Sequence, residues 1–166
     1  NMKTAVISGS FDPITLGHVD IIRRVSSIFD KVVVAIVANG DKNGGMFTPD
    51  QRLELAKSAV RGIPGVEVAV YGGLCSELCE KYGADVIVRG VRGAADFDYE
   101  FSLAEIMKHF GKKIETVFMP ASPSLAYLSS SYVREKLRFG CDLSDVADSE
   151  TASLMKEFYE KNKLAE

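Results

Sequence analysis

The 166-residue chain contains no tryptophan, two histidines and three cysteines. The cysteines, Cys75, Cys79 and Cys141, form no Cys-x-x-Cys pair, and no histidine stands beside them to complete a metal site. We therefore expect three reduced thiols, with neither a disulfide framework nor a metal centre. No apolar run reaches membrane-spanning length and no signal peptide is recognisable, so we expect a cytoplasmic protein with no membrane partner.

An excess of positive charge is also missing, because 20 lysines and arginines against 23 aspartates and glutamates leave a formal net charge of −3. A non-specific nucleic-acid binder needs a basic face, so we expect no nucleic-acid partner. The sequence contains neither a P-loop nor a Gly-x-Gly-x-x-Gly fingerprint, and no Ser/His/Asp or Cys/His constellation is evident. With 46% hydrophobic and 26% charged residues, the composition favours one globular domain over residues 1–166.

Apolar runs and helical patterns alternate along the whole chain. The predicted strands cover Thr4–Ser8, Lys31–Val37, Val66–Tyr71, Asp85–Arg89 and Thr116–Met119. The predicted helices cover Gly17–Phe29, a segment that begins at Pro49, Cys75–Tyr82, Asp96–Phe110 and most of the chain after Ser129. This alternation predicts an α/β fold, a Rossmann-like doubly wound parallel sheet of five strands in the order 3-2-1-4-5, with a helical C-terminus.

The most informative segment is Gly9–His18, GSFDPITLGH, which follows the apolar run Ala5–Ile7. A glycine turn after a strand exposes backbone N–H groups, and Gly17 lets the backbone approach a ligand closely. His18 adds an imidazole in the first helical turn, at the positive end of the helix dipole. Together these groups favour the binding of a polyphosphate. The Thr-x-Gly-His sequence resembles the HxGH signature of the nucleotidyltransferase superfamily.

A second informative segment, RGVRGAADFDYE, follows predicted strand four. Arg89 and Arg92 flank Gly90, so the two arginines can bind phosphate oxygens while the glycine admits the ligand. The alternative is a pair of surface arginines matched to carboxylates of the next helix. Because Arg89 ends a predicted buried strand, we favour phosphate binding. Glu100 is either a contact to ribose or triphosphate, through water or metal, or a plain carboxylate on the helix surface.

Two further sites surround the same predicted edge of the sheet, where strands one and four end and the strand order reverses. Lys42 lies in the polar loop after strand two, where a lysine is ordinarily a solvated charge. Ser129–Ser131 stands at a helix start after the loop that follows strand five. Its three hydroxyls and the free N–H groups of the helix N-terminus form a second anion site. The alternative is that the serines only cap the helix, with more hydroxyls than a cap needs.

In this order, the three motifs resemble the phosphopantetheine adenylyltransferase family, over about Lys3–Gly140. The resemblance implies transfer of the adenylyl group of ATP to 4′-phosphopantetheine, giving dephospho-CoA and pyrophosphate, with Mg²⁺ bridging phosphate oxygens. It also implies a homohexamer, and CoA as a candidate inhibitor. The alternatives are another small-substrate nucleotidyltransferase, such as one acting on nicotinamide mononucleotide, or a non-catalytic nucleotide-binding module.

The resemblance also implies roles for individual residues. His18 would stabilise the transition state at the α-phosphate. The phosphopantetheine side would be lined by Ser10, Lys42, Cys75 and Arg89. The ATP side would be lined by Ser10, Phe11, His18, Gly90, Val91, Arg92, Glu100, Leu125, Ala126, Tyr127, Leu128, Ser129, Ser130 and Ser131. No residue is assigned as a metal ligand, and Cys75 stands where the family usually has a larger apolar residue.

The predicted helix Asp96–Phe110 carries Phe97, Phe101, Ile106 and Phe110. This is more apolar surface than one small helix readily buries within its own domain, which favours a subunit interface. The alternative is that all four side chains belong to the core.

Overall fold

A computed structural model of the chain describes residues 1–38, 44–110 and 114–165. The strands are β1 (Thr4–Gly9), β2 (Lys31–Val37), β3 (Val66–Tyr71), β4 (Val86–Val91) and β5 (Glu115–Pro120). The helices are α1 (Leu16–Ser26), α2 (Pro49–Val60), α3 (Cys75–Tyr82), α4 (Ala94–Met107), α5 (Ser130–Arg138) and α6 (Ser149–Lys163), with a 3₁₀ turn at Pro123–Leu125. Among the helices of these ranges, none is long and apolar enough to cross a membrane.

The strands form one parallel sheet of five in the order β3-β2-β1-β4-β5, which confirms the predicted doubly wound architecture. The central strand β1 pairs with β2 along its whole length, from Thr4 to Gly9. With β4 it pairs only at Ala5–Val86 and Val6–Ile87, so this ladder ends well before the carboxyl ends of the two strands. That early end leaves room between β1 and β4 on the side where a doubly wound sheet binds its ligand.

Successive residues of the central strands face opposite sides of the sheet, and each side packs against its own layer of helices. Ala5 and Ile7 of β1 belong to the larger core, together with residues of α1, α2, α5 and α6. Val6 of β1 and Val33 of β2 belong to a smaller core, together with Leu78 of α3. The sheet is therefore covered on both faces, as the uninterrupted apolar run of β2 predicts.

Several predicted boundaries are wrong by one to three residues, among them both ends of the helix predicted at Asp96–Phe110, which spans Ala94–Met107. The strand predicted to end at Arg89 continues to Val91, because Gly90 and Val91 keep their pairing with Met119 and Pro120 of β5. The helix predicted to run to Phe29 ends at Ser26, and the N–H of Phe29 instead bonds back to the carbonyl of Val25 in a turn.

A buried ion pair ties the loop before α2 to the loop after β1. Asp12 accepts hydrogen bonds from the N–H groups of Met46 and Phe47, both at 2.9 Å. Arg52, whose side chain is 1% exposed, donates from Nε to the Phe47 carbonyl at 2.9 Å and lies 3.4 Å from Asp12 Oδ1. Gly45 has a φ of +62°, and a Cβ at this position would overlap the Arg52 guanidinium. The position of the Arg52 guanidinium therefore requires a residue without a side chain at position 45.

We expect Gly45→Ala to lower the free energy of unfolding by about 2–4 kcal/mol, because both the left-handed backbone and the guanidinium resist a side chain. Gly62→Ala is the matched control, since Gly62 has a φ of +80° but no heavy atom of the described residues within 4 Å of the added Cβ. Its expected loss is about 1 kcal/mol. Urea unfolding measures both, and equal losses would contradict the packing of Arg52 against Gly45.

Candidate active site

An open cleft of about 390 Å³ lies at the carboxyl ends of β1 and β4. This is the point where the strand order reverses and where doubly wound sheets bind their ligands. Most residues that the sequence predicts for the site line this cleft: Ser10, Phe11, His18, Arg89, Gly90, Val91, Arg92, Glu100, Leu125, Leu128, Ser129, Ser130 and Ser131. The fold therefore brings the three sequence motifs to one cavity.

Phe11 holds an uncommon conformation at the floor of the cleft. Its φ is 46°, in the left-handed region that bulky residues rarely adopt. The ring is buried and packs edge-on against the ring of His18, with centroids 5.0 Å apart. Gly9 allows this arrangement, because a Cβ there would lie 3.3 Å from the Phe11 ring. Such local strain persists where the surrounding structure fixes it, often at functional sites.

His18 is held in one orientation by the start of α1. Its Nδ1 accepts a hydrogen bond from the N–H of Thr15 at 2.9 Å, and the Thr15 hydroxyl accepts from the N–H groups of Gly17 and His18 at 3.1 and 3.3 Å. The pair thus forms a capping box in which histidine takes the place of the usual glutamate or glutamine. Because Nδ1 is an acceptor, the proton of the neutral ring resides on Nε2, which can donate to a ligand in the cleft.

Burial, first, and the positive charge of Arg92, second, lower the pKa of His18 from 6.5 to about 4. Both favour the uncharged ring, so His18 is neutral at physiological pH in the free protein. The unfolded chain binds a proton here more readily than the folded one between pH 6.5 and 4. The contribution of this residue to stability is therefore present above that window and is lost as the pH falls through it.

We expect the ring signals of His18 in an NMR titration to show a midpoint near pH 4 in the free protein. Arg92→Gln should raise that midpoint, because it removes the positive charge that disfavours the imidazolium. Arg23→Gln, which removes the same charge from the exposed side of α1, should leave it unchanged. A wild-type midpoint at pH 6 or above would contradict this environment for His18.

Two arginines that line the cleft, Arg89 and Arg92, are paired with carboxylates of α4. Arg89 makes a two-bond ion pair with Glu100, at 2.6 and 2.9 Å. Arg92 lies 3.7 Å from Asp96 and donates to the carbonyl of Leu128 at 3.4 Å. Both arginines also line the cleft, so pairing with α4 and access to a ligand coexist here.

The serine segment meets the cleft at the start of α5, and each hydroxyl has a partner. Ser129 caps the helix by accepting from the N–H of Tyr132 at 3.1 Å, and Ser130 donates to the carbonyl of Pro13 at 2.8 Å. Ser131 accepts from Nη2 of Arg134 at 3.0 Å. Arg134 lines the cleft but is absent from the predicted site. Its position three residues after Ser131, on the same helix face, is a signal that would have found it.

The structure adds less for the four other predicted residues. Lys42 falls outside the described residues. Ala126 and Tyr127 do not line the cleft, and the Tyr127 hydroxyl donates to Asp145 at 3.1 Å. Cys75 begins α3 and lines a smaller neighbouring cavity of about 70 Å³.

Cys75 nevertheless contacts the cleft through its sulfur, which lies 3.6 Å from Ser8 Oγ. Side-chain hydrogen bonding with Cys79, then with Ser8, and the charge of Arg89 lower the pKa of Cys75 to about 6, against the opposing effect of burial. The same hydrogen bond, to Cys75, raises the pKa of Cys79. Cys75 is therefore the more acidic thiol of the pair.

Comparison with known proteins shows the family to which the chain belongs. A cytidylyltransferase-like family model matches residues 6–136. The phosphopantetheine adenylyltransferase of Caldanaerobacter subterraneus subsp. tengcongensis is 40% identical over 97% of this chain and 100% of its own length. That of Cutibacterium acnes is 47% identical over 85% of this chain and 88% of its own length. The chain belongs to the phosphopantetheine adenylyltransferase family.

The fold comparison agrees with this family membership. A crystal structure described as that of a nicotinate-nucleotide adenylyltransferase from Vibrio parahaemolyticus superposes with a TM-score of 0.69, over 93% of this chain and 92% of that one. At 22% identity the likeness concerns the fold alone. The Rossmann-like sheet predicted from the sequence is thus shared beyond the phosphopantetheine adenylyltransferase family.

In the described part of this phosphopantetheine adenylyltransferase family member, no group of three or more His, Cys, Asp or Glu side chains could hold a metal ion. The two carboxylates that line the cleft, Asp96 and Glu100, are each paired with an arginine.

Proposed function

We propose that this protein transfers the adenylyl group of ATP to 4′-phosphopantetheine, forming dephospho-CoA and releasing pyrophosphate. An oxygen of the acceptor phosphate attacks the α-phosphorus of ATP, and the bond from that phosphorus to pyrophosphate breaks. The observation that carries the proposal is that His18, Arg89 and the start of α5 border one cleft in a chain of this family. A non-catalytic nucleotide-binding module would have no need of His18 at this position.

The acceptor phosphate is already an anion at neutral pH, so the reaction needs no general base. The chain must instead align two polyanions and stabilise the charge that develops on the α-phosphate. Neutral His18 suits this task, because Nε2–H can donate to a non-bridging α-phosphate oxygen as that oxygen gains charge. The hydrogen bond from Thr15 to Nδ1 keeps the ring in the required tautomer.

The ATP side of the proposal rests on the part of the cleft between the end of β4 and the start of α5. Arg92 and Arg134 provide two cationic side chains in the cleft, and the N-terminus of α5 provides the positive end of a helix dipole. These groups suit the β- and γ-phosphates, which leave as pyrophosphate. Mg²⁺ would enter as the MgATP complex, bound to phosphate oxygens.

The acceptor side of the proposal consists of Ser10, Arg89 and Cys75, with Lys42 as a further candidate outside the described residues. Arg89 offers directional N–H groups to the acceptor phosphate, and Cys75 lies beside it through Ser8. CoA carries the same phosphopantetheine arm as the acceptor, so we expect it to compete for the cleft as an inhibitor. The proposal extends to a cytoplasmic location, where ATP is abundant.

We expect the purified protein with MgATP and 4′-phosphopantetheine to form dephospho-CoA and pyrophosphate. His18→Gln should lower kcat by roughly 10²–10³-fold with little change in ATP affinity, the scale of losing one transition-state donor. His109→Gln is the matched control, because the chain has two histidines and His109 is exposed beyond the end of α4. Chromatography of the nucleotide products, with a coupled pyrophosphate assay, measures all three proteins.

The same assay separates the proposal from its nearest rival. Nicotinamide mononucleotide and glycerol phosphate replace the acceptor in parallel reactions. Robust turnover with either of these, and none with 4′-phosphopantetheine, would refute the proposed substrate. An unchanged kcat in the His18→Gln protein would refute the proposed role of the ring.

The proposal extends to a homohexamer, which the family resemblance implies. Phe97, Phe101, Ile106 and Phe110 of the α4 segment are 42–60% exposed, so the alternative that all four are core residues is wrong for the single chain. The Phe97 ring packs against Phe118 of the edge strand β5, at 5.1 Å between centroids, and extends the apolar surface across the sheet edge. A surface of this kind supports burial between copies of the chain.

We expect light scattering after size exclusion to give a mass near 109 kDa, that of six chains of 18.1 kDa. Phe101→Ser should lower the mass, because it places a hydroxyl in the apolar surface of α4. Phe139→Ser, which changes an equally apolar side chain that is 77% exposed after α5, should not. A mass near 18.1 kDa at micromolar concentrations would rule the assembly out.

A further inference from the structure

The segment Leu125–Leu128, the wall segment, forms the side of the cleft next to His18. Leu125 and Leu128 both line the cleft. A Cβ built on Gly17, the residue before His18, would lie 3.6 Å from Cβ of Leu128 and 3.7 Å from the carbonyl oxygen of Leu125. The wall segment lies outside the sheet and the α-helices, and the N–H of Leu128 closes a turn to the carbonyl of Leu125 at 3.0 Å. Its position therefore depends on contacts with neighbouring elements.

Asp145, between α5 and α6, attaches the wall segment to the rest of the protein. Its Oδ2 accepts from the hydroxyls of Tyr127 and Tyr132, at 3.1 and 3.0 Å, and its Oδ1 accepts from Nζ of Lys136 at 2.7 Å. The hydrogen bond from Lys136, then those from Tyr132 and Tyr127, lower the pKa of Asp145 against the opposing effect of burial. The carboxylate is charged at neutral pH, so the bond that holds the Tyr127 hydroxyl is charge-assisted.

The chain beside Asp145 is itself fixed to the helix that carries His18. The carbonyl of Val146 accepts from the N–H of Leu16, the first residue of α1, at 2.8 Å. Val146 is fully buried in the larger core. Asp145 therefore connects the wall segment to the same helical turn that holds the imidazole of His18.

A second carboxylate attaches the chain just before the wall segment. Asp20 of α1 accepts from the hydroxyl of Ser122 at 2.7 Å. The wall segment is thus fastened to α1 on both sides, through Asp20 and through the pair Asp145–Val146. The Tyr127 ring is 53% exposed, so burial contributes little to its position and the hydrogen bond to Asp145 contributes more.

We propose that Asp145 is a positioning residue for ATP, which holds the wall segment against Gly17 through the Tyr127 hydroxyl. A wall segment without this attachment would have to be ordered by the nucleotide, and ordering a loop lowers the affinity for the ligand. The inference rests on the proposed function, because it takes this side of the cleft as the ATP side. Asp145 acts through Tyr127, so removing the hydroxyl should remove much of the effect of Asp145.

The test compares Tyr127→Phe, Asp145→Ala and the double variant with the wild-type protein. We expect the KM for ATP to rise about fivefold in Tyr127→Phe and about tenfold in Asp145→Ala, the scale of losing a hydrogen bond to a charged group. The kcat and the KM for 4′-phosphopantetheine should stay within about twofold. The double variant should be no worse than Asp145→Ala alone, because the two residues act as one unit.

Two matched controls separate this role from general stability. Tyr132→Phe removes a hydroxyl from the same oxygen of Asp145, but that hydroxyl belongs to α5. Asp142→Ala removes a nearby exposed carboxylate that accepts from Ser144. Both should leave the KM for ATP unchanged. An equal rise in both KM values, an unchanged KM for ATP in Tyr127→Phe, or an equal effect of Tyr132→Phe would overturn the inference. If Asp145→Ala unfolds, Tyr127→Phe decides.

The wild-type protein separates this inference from the proposed function. If it binds MgATP but makes no dephospho-CoA, the proposed function fails, and isothermal titration of the variants with MgATP then decides the role of Asp145. An affinity about fivefold weaker in Tyr127→Phe and unchanged in Tyr132→Phe supports the inference. Equal affinities of these two variants, or no binding of MgATP by the wild-type protein, would overturn it.

Discussion

The short pairing between β1 and β4 is the constraint on which the cleft depends. The two central strands share a ladder only at Ala5–Val86 and Val6–Ile87, whereas β4 and β5 stay paired from Val86 to Val91. Peptide groups beyond the ladder need other partners, because a buried polar group without a hydrogen bond is costly. Arg89 supplies one of them by donating to the carbonyl of Ser8. The early end of this ladder therefore opens the cleft, and it also leaves the Ser8 carbonyl free to accept from the arginine that borders the cleft.

Positive and negative side chains of the cleft are paired with each other. An anion in the cleft is therefore met mainly by oriented N–H donors and less by a net positive charge. Arg89 and Arg92 are each matched to a carboxylate of α4, and His18 is kept uncharged by burial and by Arg92. What remains to meet an anion is a set of oriented N–H groups, together with Arg134 and the start of α5. Preorganised donors of this kind suit a phosphate whose charge increases during reaction, because they need no reorganisation as that charge develops.

Local sequence patterns predict most of the fold and the loops that form the cleft. They do not predict which side chains pair with each other inside the cleft. The start of α2 at Pro49 and the alternation of strands with helices follow from short-range signals, and the structure shows both. The end of β4 depends on how far β5 accompanies it, which no local pattern contains. Which carboxylate of α4 meets Arg89 depends on the angle of that helix over the sheet, so the sequence leaves several candidates open.

The geometry around His18 shows how local and long-range constraints combine in one residue. Thr15 and His18 satisfy each other within one helical turn, which any chain with this spacing can do. The edge-on packing of Phe11 against the ring requires a left-handed backbone at Phe11 and a glycine at position 9. A side chain at position 9 would press on the Phe11 ring and shift it by a few tenths of an ångström. The imidazole would still be held by the hydrogen bond from the N–H of Thr15. The glycine turn therefore sets how Phe11 packs against His18, and the start of α1 sets the direction of the imidazole.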